Sequence, residues 1–244
     1  MAVTSPYPSA PPTGLLKDLG RFALNPRSEF PADPRPFLTF AKMVGLQFLA
    51  LFATAPLIGL GFWLISDKEF IGDQDIGKIE LFIAAVLIAP ILEELAFRLA
   101  IVKYRPFALV FGGIVFGLFM ALPVLSPGIP LGVKAAILVV GGAIAATLIA
   151  LGASSSERAR EFWERNFSGF FYGAVLIFGL FHLTNYEFGD LAPWEYLAFP
   201  LLVTPQIAVG FLLGYTRIRL GILWAMGQHG FYNLLLVSLT LVSG

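Results

Sequence analysis

The sequence contains no cysteine, only two histidines and few charged residues. Lys, Arg, Asp and Glu make up 13% of its 244 residues, about half the share that is typical of a soluble domain. The missing cysteines exclude disulfides, thiolate metal sites, a cysteine nucleophile and cysteine lipidation. The formal net charge is zero, so no bulk positive charge is available to attract nucleic acid. Any imidazole chemistry must use His182 and His229.

Hydrophobic residues are abundant, at 57% of the chain, and the mean hydropathy is +0.81. This composition predicts an all-α, polytopic membrane bundle. A span needs about 20 predominantly apolar residues. Seven stretches meet or approach that length, at residues 43–65, 81–102, 107–125, 133–152, 170–184, 197–215 and 221–242.

The N-terminal residues 1–36 are predicted to be a disordered or interfacial tail, and residues 37–244 an integral membrane domain. Residues 1–14 are rich in Pro, Ser and Thr, which predicts disorder rather than a cleavable signal peptide. The next stretch, residues 14–24, is consistent with a short interfacial helix and equally with a half-ordered tail. Its apolar face would consist of Leu15, Leu16, Leu19 and Phe22.

Basic residues are distributed unequally between alternate loops. Twelve of the sixteen Lys and Arg residues lie in the N-terminal tail and in the loops on the same side, three lie in the opposite loops, and Arg98 lies within a span. Cytoplasmic loops carry an excess of Lys and Arg. The distribution therefore predicts a cytoplasmic amino terminus and an external carboxyl terminus.

Ionisable residues interrupt the second apolar stretch. Such groups at bilayer depth are costly, and they usually face a cavity, a partner or a functional site. Glu94 and Arg98 have the four-residue spacing of a helical ion pair, whereas Glu93 points about 100° away from Glu94 around the helix. We expect Arg98 to neutralise Glu94 and Glu93 to face a cavity, whose wall Pro90 loosens. A buried ion pair that only fixes helix packing would explain Glu94 and Arg98 but not Glu93.

Each histidine has a partner four residues away. Phe178 and His182 share a face of the fifth stretch, where Gly179 would allow another helix to approach closely. His229 and Asn233 share a face of the seventh stretch. One such histidine alone is more often a satisfied polar residue than a catalyst, but two with matched partners are hard to obtain by chance.

Together these residues resemble the CAAX-protease and bacteriocin-processing (CPBP) family of intramembrane glutamic-type endopeptidases. That family is marked by EExxxR, FxxxH and HxxxN/D on three helices. The resemblance covers roughly residues 81–242, and residues 107–152 look like an inserted hairpin. The motifs are complete and in order as Glu93-Glu94-x-x-x-Arg98, Phe178-x-x-x-His182 and His229-x-x-x-Asn233.

The resemblance implies hydrolysis of a peptide bond in a membrane-embedded or prenylated protein, within a bacterial inner membrane. Glu93 and His182 would activate a water as general base. His229 and Asn233 would stabilise the oxyanion of the tetrahedral intermediate. Glu94 would also belong to the catalytic group, and the supporting residues would be Arg98 and Phe178.

The resemblance leaves the cofactor open. The family has also been described as metal-dependent, and a zinc ion could be held by Glu93, His182 and His229. The zincin sequence H-E-x-x-H is absent, so catalysis without a metal is favoured.

Two other classes of function fit parts of the sequence. A membrane scaffold or regulator of the same fold would be expected to lack Glu93, His182 or His229, and none is lost. A transporter or proton relay could use the same residues, but no inverted repeat or matched pair of broken helices supports it.

The depth of the motif residues poses a geometric problem. The rise of a helix, about 1.5 Å per residue, places Glu93 and His229 near the middle of the membrane and His182 nearer its outer face. We therefore expect residues 161–170 to be helical and continuous with the fifth stretch, so that His182 can reach Glu93.

Overall fold

The structure, a computed structural model, describes residues 14–65, 68–70, 77–125, 131–188 and 191–243. This part of the chain is a helical bundle, so the all-α prediction is confirmed. The helices are α1 (Leu15–Leu24), α2 (Pro36–Leu64), α3 (Lys78–Ile83), α4 (Ala89–Arg98), α5 (Pro106–Ala121), α6 (Leu131–Ser154), α7 (Glu157–Arg165), α8 (Phe167–Phe181), α9 (Phe199–Arg219) and α10 (Ile222–Ser243).

A π-helical turn and a pair of short strands add detail that the sequence did not predict. A π-helical turn, Ala84–Ile88, joins α3 to α4. Strands β1 (Lys68–Phe70) and β2 (Tyr186–Phe188) pair antiparallel, and so connect the loop after α2 to the chain that follows α8.

Five helices of the described residues are long and apolar enough to cross a membrane, which makes the protein a multi-pass integral membrane protein. They are Pro36–Leu64, Pro106–Leu125, Lys134–Ser154, Phe167–Asn185 and Glu195–Arg219. The predicted spans 81–102 and 221–242 are largely helical as well but are not among these five. The total of seven spans and the cytoplasmic amino terminus stay predictions.

The motif helices α4, α8 and α10 are assembled around α9. α9 packs against α8 and α10, and α10 packs against α4 and the π-helical turn. The predicted hairpin of residues 107–152 is formed by α5 and α6, which pack closely on each other. A side chain at Gly152 would meet the Pro106 carbonyl oxygen at 2.6 Å. Because this hairpin packs on α4 through α5, it leaves the side of α4 that faces α10 free for the site.

Residues 14–35, here called the N-terminal segment, cover one end of the bundle. Residues 15–24 form helix α1, and its position at the membrane interface stays a prediction. Its Phe22 is 2% exposed and lies edge-on to Phe171, with ring centroids 4.9 Å apart. The Ser168 hydroxyl donates to the Pro26 carbonyl, and the Lys103 amide donates to the Ser28 carbonyl. The predicted disorder concerns mostly residues 1–13, which lie outside the described residues.

Asp33 fastens this segment to the bundle. Its carboxylate accepts hydrogen bonds from Arg219 Nε at 2.9 Å, from Thr39 Oγ1 at 3.0 Å and from the Arg35 amide at 2.8 Å. Burial by itself would raise the pKa of Asp33, but these hydrogen bonds, together with the charge of Arg219, hold that pKa below its ordinary value of 3.8.

The depressed pKa predicts a pH-dependent contribution to stability. A carboxylate whose pKa is lower in the folded state stabilises the fold above its unfolded pKa, and that stabilisation disappears as the pH falls through the folded pKa. In detergent at pH 6, the unfolding temperature of wild type should be higher than that of Asp33→Asn. The difference should shrink as the pH falls below 3.8. A difference that stays constant down to the lowest pH would contradict this role.

Candidate functional site

The carboxylate-bearing helix α4 ends at Arg98, four residues before the predicted end at residue 102. Arg217 of α9 explains the early end, because its Nε donates to the Arg98 carbonyl at 3.1 Å and its Nη2 to the Leu99 carbonyl at 3.3 Å. The last carbonyls of a helix have no intrahelical donor. Arg217 supplies one, and the chain leaves α4 in a non-helical conformation as far as Arg105.

Glu94 is fully buried, and its carboxylate contacts both Arg98 and His229. Its Oε1 accepts from Arg98 Nη1 at 2.6 Å and lies 3.0 Å from His229 Nδ1. The expected ion pair of Glu94 and Arg98 is confirmed, and His229 joins it. Because an ionised carboxylate can only accept, the His229 hydrogen bond requires a proton on Nδ1. The other nitrogen, Nε2, is then directed towards Glu93.

Glu93 is separate from this pair, as its helical position predicts. Its side chain is 13% exposed and its Oε2 lies 3.7 Å from His229 Nε2. Within the described part of the chain, that oxygen has no hydrogen-bond partner. Glu93 thus presents a nearly buried carboxylate oxygen that is available to a water or a substrate.

The Phe178 ring lies at the centre of the site and is 1% exposed. The Arg98 guanidinium carbon lies 4.2 Å from the ring centroid, a cation–π distance. The His182 ring lies 4.7 Å from it on the same face of α8, and the His229 ring lies 6.0 Å from it. One aromatic ring therefore brings the charged pair and both histidines together.

His182 is the first residue after α8, at the start of the 3-10 turn His182–Asn185. Its Nδ1 lies 2.8 Å from the Phe178 carbonyl oxygen. A carbonyl can only accept, so Nδ1 carries the proton and Nε2 keeps a lone pair. The Glu93 carboxylate is near enough to act electrostatically on this ring.

The expected continuous helix over residues 161–170 is wrong. The chain bends at Asn166, between α7 and α8. Trp163 and Phe170 stack with centroids 4.5 Å apart, whereas a straight helix would separate residues seven positions apart by about 10 Å. The Trp163 indole donates to the Val102 carbonyl at 2.9 Å, which holds α7 against the loop between α4 and α5.

The motif residues meet although α7 and α8 do not form one straight helix. After α4 ends at Arg98, the chain turns tightly, because the Ile101 amide donates to the Arg98 carbonyl and the Val102 amide to the Ala100 carbonyl. The rings of His182 and His229 both lie within 6.0 Å of the Phe178 ring, so the motifs of α8 and α10 come together there.

Asn233 makes a contact that the sequence did not predict. Its Nδ2 donates to the Ala85 carbonyl at 2.8 Å, in the π-helical turn. Pro90 has no amide hydrogen, so the turn before it lacks a backbone donor, and Asn233 supplies one from α10. A side chain at the adjacent Gly230 would lie 3.0 Å from the Val86 carbonyl oxygen. An amide nitrogen carries two hydrogens, so one N–H of Asn233 has no acceptor among the described residues.

Close helix packing holds Phe178 in place. A Cβ at Gly210 of α9 would lie 2.8 Å from Phe178 Cδ1 and 3.5 Å from Arg98 Nη2. The predicted close approach at Gly179 is confirmed, since a Cβ there would overlap Ile207 Cγ1 of α9. The sequence reasoning missed Gly210. A small residue inside an apolar helix was the available signal, but it does not say which helix approaches.

Gly210→Ala should destabilise the fold by about 1–3 kcal/mol through overpacking, because neither the Phe178 ring nor Arg98 has room to retreat. The control is Gly59→Ala, at an open position of α2, where alanine should be neutral or stabilising by about 0.5–1 kcal/mol. Thermal unfolding of both variants in the same detergent tests this. Equal unfolding temperatures would show that α9 does not press on Phe178.

The three candidate zinc ligands are not arranged as a metal site. Among the described residues, no group of three His, Asp or Glu side chains is placed to hold a metal ion. His182 and His229 engage the Phe178 carbonyl and the Glu94 carboxylate through Nδ1. A histidine that binds a metal commonly makes such a bond with its other nitrogen, so these bonds do not argue against zinc, and catalysis without a metal stays a prediction.

Comparison with known proteins identifies a matching protein family. A family model described as "Type II CAAX prenyl endopeptidase Rce1-like" matches residues 155–235, about a third of the chain. No curated protein and no solved structure matches it. The matched segment contains Phe178, His182, His229 and Asn233. It begins after α4, so it does not include the two carboxylates of that helix. The match confirms the resemblance to the CPBP family, a family of proteases, and so supports a peptide hydrolase.

Proposed function

We propose that this chain, with its confirmed resemblance to the CAAX-type proteases, is an intramembrane endopeptidase that hydrolyses peptide bonds with a water activated by Glu93 and His182. One observation supports this most strongly. Three elements remote in sequence bring a Glu93 oxygen that has no hydrogen-bond partner among the described residues and both histidines of the chain around the buried Phe178–Arg98–Glu94 group.

In the first step, a water lies between Glu93 Oε2 and His182 Nε2. His182 accepts one hydrogen bond from the water and so orients it, because its Nδ1–H is committed to the Phe178 carbonyl. Glu93 takes the other proton as general base, a role typically contributing about 10²–10⁴-fold. The resulting hydroxide attacks the carbonyl carbon of the peptide bond, and its electrons move to the carbonyl oxygen.

In the second step, the protein stabilises the oxyanion and releases the products. His229, doubly protonated and fixed through Nδ1 on Glu94, offers its Nε2–H to the oxyanion. The second N–H of Asn233 is the other donor. The proton held by Glu93 then passes to the departing amine, the C–N bond breaks, and Glu93 returns to the carboxylate form. All atoms and charges balance without an added cofactor.

The substrate we propose is a membrane-embedded or prenylated protein, in a bacterial inner membrane. Two features support a substrate that arrives from the bilayer. The site is built within apolar helices of a multi-pass protein, and the name of the matching family refers to prenyl endopeptidases. The bond that is cut must leave its helix to reach Glu93, because a helical peptide bond is shielded by its own side chains and hydrogen bonds.

The experiment that tests this function compares membranes containing wild type with membranes containing Glu93→Gln. New amino termini of co-expressed membrane proteins are identified by mass spectrometry. We expect a small set of fragments that is present with wild type and absent with Glu93→Gln, and this set names the substrate. Identical profiles at equal protein levels would contradict the proposal and favour a scaffold that binds partners without cleaving them.

A further inference from the structure

Two adjoining cavities lie along the outer surface of α2. One, of about 620 Å³, lies between α1 and α2. The other, of about 520 Å³, lies between α2, α8 and α9. Leu46 and Leu49 border both cavities, and the two together are here called the α2 trough. It lies away from the motif residues, none of which lines it.

The two ends of the α2 trough differ in chemistry. Among the described residues, the α1 end is lined by Lys17 and Lys42 and by no acidic side chain. Neither ammonium forms an ion pair with any described residue, and both side chains are exposed. The other end is lined almost wholly by apolar residues, among them Ala53, Ile207 and Phe211. A molecule that fits must have an anionic head and a long apolar body.

The length of the trough matches one leaflet of a bilayer. From Lys42 to Ala53 the helix rises about 16 Å at 1.5 Å per residue. The hydrocarbon core of a bilayer is about 30 Å thick, so one leaflet is about 15 Å. The cationic end therefore lies at headgroup level when the apolar end lies near the middle of the membrane.

We propose that the α2 trough binds one anionic phospholipid, with its phosphate between Lys17 and Lys42 and its acyl chains along Leu46, Leu49 and Ala53. Basic pockets at the membrane surface are typical sites for anionic lipid headgroups. The lipid would join α1 to α2 and so help to hold the N-terminal segment on the bundle. This inference does not depend on the proposed protease activity.

The test titrates the purified full-length protein in neutral detergent with dioleoyl phosphatidylglycerol or dioleoyl phosphatidylcholine, and counts bound lipid by native mass spectrometry. We expect each protein molecule to bind one phosphatidylglycerol tightly and to bind phosphatidylcholine more weakly. The variant Lys17→Gln/Lys42→Gln should lower phosphatidylglycerol affinity by about 30-fold at low salt, since each basic residue near the surface contributes about fivefold. The control Arg158→Gln/Arg165→Gln removes two exposed cations of α7 and should leave the affinity unchanged.

A second pair of variants tests the apolar part. Gly45 lines the trough, and a Cβ there meets nothing within 4 Å, so Gly45→Phe should fill the trough and abolish tight binding of phosphatidylglycerol. Gly59, on the same helix and equally open, lies outside the trough. Gly59→Phe should therefore bind phosphatidylglycerol with the affinity of wild type. Equal binding of both lipids, or equal affinities of each variant and its control, would overturn the proposal.

Discussion

Glu93→Gln is expected to lower the rate of peptide hydrolysis by about 10²–10⁴-fold, the range found for loss of a general base. The amide keeps the size of the side chain but cannot take a proton from water. Because Glu93 Oε2 makes no hydrogen bond with the described residues, the substitution should leave the unfolding temperature close to that of wild type. The measurement is the rate constant of cleavage for the substrate identified in membranes, with protein reconstituted in liposomes.

Two further variants test whether the loss of activity is specific to the carboxylate of Glu93. Glu161→Gln removes a carboxylate from the exposed face of α7 and should cleave at the wild-type rate. Glu93→Asp keeps the carboxylate but draws it back by one methylene, so it should retain more activity than Glu93→Gln. Cleavage by Glu93→Gln at a tenth of the wild-type rate or faster would assign the base to another residue.

Glu94→Leu is expected to destabilise the fold by about 3–5 kcal/mol, the typical cost of removing one partner of a buried ion pair. Arg98 is 3% exposed, and Glu94 is the carboxylate that its guanidinium contacts directly. Without Glu94, Arg98 would be a buried charge with only the Phe178 ring and a more distant Glu93 to compensate it. Unfolding in detergent, followed by circular dichroism, measures the loss.

The double variant Glu94→Leu/Arg98→Met separates structure from chemistry. Replacing both partners of a buried ion pair by apolar residues of similar size is often neutral or stabilising, so the double variant should recover most of the lost stability. It should remain inactive, because His229 Nδ1 no longer has its acceptor. A double variant as unstable as Glu94→Leu would show that Arg98 is not the source of the destabilisation.

The contacts that were predicted correctly are local ones. Glu94 and Arg98 pair because residues four apart share a helical face, and the same geometry places His182 over Phe178. Side chains at this spacing meet whatever the neighbouring helices do. The face of α1 was also visible in the sequence, although not the burial of Phe22 between α8 and α9.

The contacts that were missed are long-range ones. Glu94 and His229 are 135 residues apart, and Asn233 and Ala85 are 148 residues apart. Whether they meet depends on which helices are neighbours and how each is rotated, which one sequence does not determine. The early end of α4 was missed for the same reason, because it depends on Arg217 from α9. The wrong prediction of a straight helix through Asn166 followed from not knowing where Trp163 finds its acceptor.

The most direct test of the account follows the oxygen of the attacking water. Wild type, stripped of metals with a chelator, cleaves the identified substrate in liposomes prepared in H₂¹⁸O, and the new carboxyl terminus is weighed by mass spectrometry. If Glu93 activates the water, ¹⁸O is incorporated at a rate that the chelator does not change, and Glu93→Gln yields almost no product. Cleavage that stops with chelator and returns with added Zn²⁺ would place the water on a metal and contradict this mechanism.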